Sequence, residues 1–238
     1  MCIKITNRFL IIAAVLILAS VITVSATEQQ DTIPPETPVL QYISVVPPTG
    51  NTTLFWQPSP DKDVLGYVIY RNQNNVWVAI DSLFHADDSV YTDITSRALF
   101  FAESYVIAAF DTTRNISPLT PPHTTIFLGA LFDSCRAAIS LNWSGYKGWT
   151  GFKNYRIIMK EDTGSFIPVD TVPADKTNDT INRITAGVTY CFYITATHPD
   201  GFESSSNSIC LETNMLQPPG YITANGVIVS GNKDVLLS

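Results

Sequence analysis

After the first 26 residues, apolar and polar positions alternate with the period of two that is expected of β-strands with one buried face. In the run 190–197, for example, Tyr190, Phe192 and Ile194 fall on one face. Val, Ile, Thr, Tyr and Phe are enriched in these runs, and clusters of Pro, Gly, Asn and Asp interrupt them about every 8 to 12 residues. Beyond residue 26, no long stretch shows helical spacing of its apolar residues. The pattern predicts an all-β protein built from β-sandwiches.

A set of aromatic landmarks occurs twice at nearly the same spacing. Two tryptophans lie 87 residues apart and two tyrosines that follow them lie 88 residues apart, while a second tyrosine in each copy follows an aliphatic residue by six positions. A period near 90 is typical of a small self-contained domain. We therefore expect two sandwiches with a shared core plan. The residues expected at the centres of the cores are Trp56, Tyr67 and Tyr105 in the first copy and Trp143, Tyr155 and Tyr190 in the second.

Tyr105 and Tyr190 also stand where such a sandwich has a tyrosine corner. In that feature the ring packs inward and the hydroxyl bonds to the backbone a few residues upstream. Both tyrosines open apolar runs, which favours this role for each of them.

These landmarks resemble those of fibronectin type III domains. A Trp ends the second strand, Tyr-x-Ile occupies the third, and Leu or Ile precedes a Tyr by six positions on the way into the sixth. The resemblance implies two tandem fibronectin type III (Ig-like) sandwiches at residues 33–121 and 122–215, after a linker at 27–32. The first copy departs from the family pattern, because Phe101-Ala102-Glu103-Ser104 stands where a Pro or Gly usually precedes the corner tyrosine.

Residues 216–238 resemble the start of a third copy. The segment 217–219 repeats the proline pairs at 34–35 and 121–122, which we expect to act as stiff interdomain linkers. The segments 221–229 and 235–238 would be its first two strands. Two strands cannot bury a core in water. We therefore expect this to be a truncated third sandwich, from a longer protein or an incomplete gene model.

The N-terminus has the organisation of a secretory signal peptide. Lys4 and Arg8 precede the uncharged segment 9–24, and Ala26 provides a small residue for cleavage, so residues 1–26 are expected to be removed. The alternative is an uncleaved anchor, in which 9–24 attaches the protein to the membrane. Either alternative places the rest of the chain outside the cytoplasm, secreted or at the cell surface.

The cysteines fit an exported protein. Cys2 lies in the leader, which leaves Cys135, Cys191 and Cys210. A two-residue hairpin turn at Asp200-Gly201 would place 191 directly opposite 210, and this favours a Cys191–Cys210 disulfide. Cys135 remains the rival partner for Cys210.

The charge and the histidines argue against several functions. The chain has 14 Lys and Arg against 21 Asp and Glu, a net charge of −7, and an acidic protein repels phosphate backbones. We expect His85, His123 and His198 in loops, outside any recognised catalytic or phosphate-binding motif. Asp61 and Asp63 are better explained as turn residues than as metal ligands. We expect no catalytic residue, no cofactor, no metal and no nucleic-acid partner.

Two tryptophans outside the core pattern could stack on sugars. Trp77 lies in an alternating strand, where a packing role is favoured. Trp149 lies in a Gly-Trp-Thr-Gly loop, where a glycan contact and a packing role are equally open.

A narrower resemblance concerns Cys135 ahead of Ile-Ser-Leu-Asn-Trp, the pair Gly148-Trp149, and the segment Ser204–Cys210. These features resemble large exported proteins of Bacteroidota that are associated with gliding motility or type IX secretion. The resemblance implies a C-terminal sorting domain beyond Ser238.

The expected function is that of a non-catalytic exported surface protein. Its fibronectin type III modules would act as spacers, in adhesion or in protein–protein contact, with a protein or glycan at the cell surface as partner. The alternative is an accessory linker or carbohydrate-binding region of a secreted hydrolase whose catalytic domain lies beyond Ser238.

Overall fold

The computed structural model describes residues 31–214, 227–229 and 235–237. The predicted signal peptide (1–26), most of the linker 27–32 and the proline pair at 218–219 lie outside these residues. The chain divides into the units Met1–Ile33 and Pro34–Ser238, and both sandwiches lie in the second. All regular elements of the described residues are β-strands, which confirms the all-β prediction. Nothing in the described part is a helix with the length and hydropathy to cross a bilayer.

Seven strands build the first sandwich. They are β1 (Val39–Val46), β2 (Asn51–Gln57), β3 (Val64–Gln73), β4 (Val76–Leu83), β5 (Val90–Asp93), β6 (Ser104–Asp111) and β7 (His123–Thr124). One antiparallel sheet has the order β1-β2-β5 and the other the order β4-β3-β6-β7.

The second sandwich repeats this plan. Its strands are β8 (Leu128–Asp133), β9 (Ala138–Trp143), β10 (Asn154–Glu161), β11 (Ile167–Pro173), β12 (Asn178–Asn182), β13 (Thr189–Thr197), β14 (Glu203–Ser205) and β15 (Ile209–Glu212). The orders are β12-β9-β8 and β11-β10-β13-β14, and β15 also pairs with β13. The last strand of the plan is thus split into β14 and β15. Both copies have the three-plus-four arrangement of a fibronectin type III sandwich, and the predicted fold class is confirmed.

The six aromatic residues expected in the cores are all buried. In the first sandwich the Trp56 ring meets the Tyr67 ring edge-on at 5.5 Å between centroids. Trp143 and Tyr155 repeat that contact in the second sandwich at 5.4 Å. The equivalence follows from strand alternation, which directs each Trp and each Tyr toward the facing sheet. Rings of this size bury roughly 150–250 Å² each and so dominate a small core.

The two tyrosine corners differ. The Tyr190 hydroxyl accepts a hydrogen bond from the Thr185 backbone N–H, five residues upstream, at 3.2 Å. The Tyr105 hydroxyl instead lies 3.0 Å from Asp93 Oδ2 and 3.1 Å from Glu103 Oε2. The expectation of an upstream backbone bond is wrong for Tyr105. The physical reason is that the Glu103 carboxylate, from the departing segment 101–104, and the Asp93 carboxylate take the place of a backbone partner.

A buried ionic network surrounds that carboxylate. Arg71 Nη1 lies 2.7 Å from Asp93 Oδ2, and Arg71 Nε lies 3.6 Å from Glu103 Oε1. All three residues are buried. Burial, which lowers the pKa of Arg71, is outweighed by the two carboxylates, so its pKa is raised. Burial and the same carboxylates raise the pKa of Tyr105.

The disulfide Cys191–Cys210 is present, and Cys135 is free and exposed. The favoured pairing is therefore confirmed. The predicted two-residue turn that suggested this pairing is wrong, because His198 pairs with Phe202 around a loop of three residues. Next to this turn 197 pairs with 203, whereas further along 191 pairs with 210. An extra residue on the strand between β14 and β15 therefore restores the register that brings the cysteines together.

The proline pair at 121–122 is not a linker between the sandwiches. Thr120 N–H donates to Ile107 O, and β7 continues the same edge by pairing with β6. The prolines interrupt the last strand of the first sandwich because they have no N–H for the ladder. The predicted boundary between 121 and 122 thus falls before the end of the first sheet, and β8 begins four residues after Thr124.

In the predicted third copy, the structure describes an antiparallel pair of short strands. These are β16 (Val227–Val229) and β17 (Val235–Leu237), with residue 228 opposite 236.

Candidate functional site at the junction of the sandwiches

The two sandwiches pack together through a surface that we call the junction. It consists of residues 41–44, 55 and 123–124 of the first sandwich and residues 146–149, 198, 202 and 205 of the second. Polar contacts fix its register: the Ser205 N–H donates to Ser44 Oγ at 2.9 Å, and Thr124 forms a backbone bridge with Lys147. β1 therefore meets β14 at this surface.

Tyr146 is the central polar anchor of the junction. Its ring is buried, and its hydroxyl accepts a hydrogen bond from the Ile43 N–H of β1 at 3.0 Å. The same oxygen lies 2.7 Å from His123 Nδ1. With Nδ1 unprotonated, the hydroxyl donates its hydrogen to Nδ1 while its oxygen accepts from the Ile43 N–H, so both groups are satisfied. One hydroxyl thus ties β1 and β7 to the second sandwich.

His123 is buried beneath the loop that carries Trp149. The prediction that His123 lies in a loop is wrong, since it opens β7. Burial lowers its pKa to about 4, which agrees with a neutral ring that accepts a hydrogen bond from the Tyr146 hydroxyl. Gly148 allows this approach, because it has φ +123° and a Cβ there would lie 2.4 Å from the His123 ring. Any other residue at 148 would be strained and would collide with the imidazole.

Aromatic rings run across the junction in an unbroken series. Consecutive centroids are between 4.2 and 5.8 Å apart. In order, the rings belong to Phe55, Tyr42, Phe202, His198, Trp149, Tyr146 and His123. Spacings of this size are typical of favourable ring pairs, each worth about 0.5–1.5 kcal/mol beyond its buried area. The series therefore resists separation of the two sandwiches.

Trp149, the candidate glycan contact, has a packing role in this series. Its Nε1–H donates to the Gln41 carbonyl at 2.8 Å, and its ring lies 4.2 Å from that of Tyr146. The side chain is only partly buried. The part of the Trp149 side chain that is not buried lines a cavity of about 320 Å³, which we call the junction groove. Residues of both sandwiches line this groove: Val39, Leu40, Gln41, His123, Gly148, Trp149, Thr150, His198, Asp200 and Phe202.

The other candidate residues lie away from the junction. Trp77 is partly buried on β4, at an edge of the first sandwich. Asp61 Oδ2 accepts a hydrogen bond from the Glu36 N–H at 2.6 Å. His85 is exposed in the connection between β4 and β5.

Sequence reasoning missed Tyr146, Tyr42 and Phe202. One signal was available: aromatic residues occur at every third position from 143 to 155, a spacing that matches neither the period of a strand nor that of an α-helix. Tyr42 and Phe55 gave no such signal, because their pairing across β1 and β2, on the face turned away from the core, is seen only in the structure.

No protein-family model and no curated protein sequence matches the chain. Solved structures do. The FN1–FN3 domains of chicken CNTN1 match at 13% identity and a TM-score of 0.33, over 76% of this chain and 65% of that one. A two-domain fibronectin type III segment of chicken tenascin matches at 15% identity and a TM-score of 0.32, over 76% of this chain and 100% of that one. An fn3 domain of the human collagen α-1(XX) chain matches at 20% identity and a TM-score of 0.34, over 44% of this chain and 92% of that one.

These likenesses are distant. The chain spans just under two thirds of the CNTN1 structure. The assignment of both sandwiches to the fibronectin type III fold rests on their strand order.

Proposed function

We propose that this chain is a non-catalytic, exported surface protein whose two fibronectin type III sandwiches form a rigid spacer. The observation that carries the proposal is the junction, where Tyr146 bonds to Ile43 and His123 and the aromatic series covers the contact. Domains joined only by a flexible linker would reorient freely, whereas a packed and hydrogen-bonded contact holds one orientation.

The buried ionisable groups support a structural role. Arg71 pairs with both Asp93 and Glu103 inside the first sandwich, and His123 is held by Tyr146. Each of these groups is committed to holding strands or sandwiches together. The first sandwich also exposes Phe84 beside Phe110, apolar surface of the kind that contacts between proteins cover.

Export is supported by the N-terminal sequence and by the disulfide, because disulfides persist in oxidising compartments. The narrower proposal of an exported, gliding-motility-associated protein of Bacteroidota rests on the sequence resemblance alone. Two of its features, Gly148 and Trp149, have a structural explanation in the junction.

Residual dipolar couplings measured on the full chain test the rigid spacer. We expect a single alignment tensor to describe the amide N–H vectors of both sandwiches. The double variant Tyr42→Ser and Phe202→Ser, which removes two rings that stack on each other across the junction, should separate the couplings into two tensors. The control Trp77→Ser, outside the junction, should leave one tensor. Two independent tensors in the unaltered protein would show that the sandwiches move freely and would refute the proposal.

A further inference from the structure

The junction groove combines an aromatic wall with a polar rim. The rings of Trp149, His198 and Phe202 follow one another along it at centroid distances of 5.0 and 5.8 Å. All three are partly exposed, so each keeps some surface toward the groove. The ring surface that neighbouring rings leave uncovered is apolar and can contact the C–H groups of a pyranose ring.

The rim supplies hydrogen-bonding groups of both kinds. The Asp200 carboxylate has 70% of its side chain exposed and can accept from hydroxyl groups. His198 Nδ1 accepts the Asp200 N–H at 3.2 Å, so the neutral imidazole carries its proton on Nε2, which is a donor. The side chains of Thr150 and Gln41 add hydroxyl and amide groups that can both donate and accept. Polyhydroxylated ligands need such mixed sets, since each hydroxyl group both donates and accepts.

The charge of the groove restricts the ligand further. Of the ten residues that line it, none is a lysine or an arginine, and Asp200 is the acidic one. A phosphate, sulfate or uronate group would meet the Asp200 carboxylate with no lysine or arginine in the groove to pair with. The volume of about 320 Å³ lies at the small end of the range of about 300–1,000 Å³ that is usual for ligand sites.

We propose that the junction groove binds one or two rings of a neutral saccharide. The C–H face of a pyranose would lie against the aromatic wall, and Asp200 would accept hydrogen bonds from its hydroxyl groups. Because both sandwiches line the groove, the site exists only while the junction is closed. This inference goes beyond the proposed spacer function, although it rests on the same closed junction.

Titration of the ¹⁵N-labelled full chain with disaccharides tests the proposal. The probes are cellobiose, maltose, lactose, xylobiose and N,N′-diacetylchitobiose, with digalacturonate as the anionic comparison. The chain has four tryptophans, and Trp149→Phe identifies the Trp149 indole N–H signal. We expect at least one neutral disaccharide to shift that signal, with millimolar affinity, and digalacturonate to bind more weakly or not at all.

The deciding variant is Asp200→Ala, which alters an exposed side chain and leaves the aromatic series intact. Loss of a charged acceptor should weaken binding roughly tenfold or more. The matched control Asp175→Ala removes the same charge from another exposed turn and should bind as the unaltered protein does. The proposal is overturned if no neutral disaccharide moves the Trp149 signal, if digalacturonate binds as tightly, or if Asp200→Ala leaves the affinity unchanged.

Discussion

Acid is expected to destabilise the junction through His123. The imidazole is 4% exposed, its Nδ1 lies 2.7 Å from the Tyr146 hydroxyl, and burial lowers its pKa to about 4. In the unfolded chain a histidine has a pKa of about 6.5. Since the pKa is depressed in the folded state, the stability that depends on the neutral ring is fully present above pH 6.5. It is lost progressively as the pH falls from about 6.5 to about 4.

The size of the effect follows from the two pKa values. A separation of about 2.5 pH units corresponds to roughly 3 kcal/mol in the limit of low pH, and to about 2 kcal/mol at pH 5. The geometry gives the cause. A protonated Nδ1 would direct an N–H at the Tyr146 oxygen, which already accepts from Ile43, and would leave the tyrosine hydrogen without its acceptor.

Urea unfolding at pH 7 and pH 5 measures the effect. The free energy of unfolding of the unaltered protein should fall by about 2 kcal/mol more than that of His123→Leu, which cannot titrate at this position. The control His85→Leu removes an exposed histidine and should retain the full pH dependence. If His123→Leu and the unaltered protein lose the same free energy between pH 7 and pH 5, the assigned role of His123 is wrong.

Two further predictions concern stability. Arg71→Met leaves two buried carboxylates without a cation and should lower the free energy of unfolding in urea by about 3–5 kcal/mol. The control Arg156→Met breaks an exposed ion pair and should lower it by about 1 kcal/mol or less. Equal losses would contradict the ionic network. Serine at both positions of the Cys191–Cys210 disulfide, 19 residues apart, should lower the free energy of unfolding by about 3 kcal/mol. Cys135→Ser should have no measurable effect, and a comparable loss there would show that the bridge is not the one described.

Local pattern accounts for the parts of the fold that were predicted correctly. Trp56 and Tyr67 lie on apolar faces of strands, and alternation alone assigns those faces to the core. The disulfide prediction was correct despite an error of one residue at the turn. The irregularity between β14 and β15 compensated for that error. Such bulges leave little trace in the sequence because they depend on how neighbouring strands are bent. The Tyr105 corner shows the same limit, since Glu103 takes a role that the family pattern gives to the backbone.

By itself, the sequence determined the strand class, the two copies and the aromatic centres of their cores, and it favoured the cysteine pair without deciding it. Each of these depends on alternation or on spacing within about 90 residues. The tertiary structure alone decided the junction and its groove. Tyr146 bonds to Ile43 across 103 residues, and Ser205 bonds to Ser44 across 161. Contacts between separate domains arise from surface shape and orientation, which no periodicity along the chain encodes.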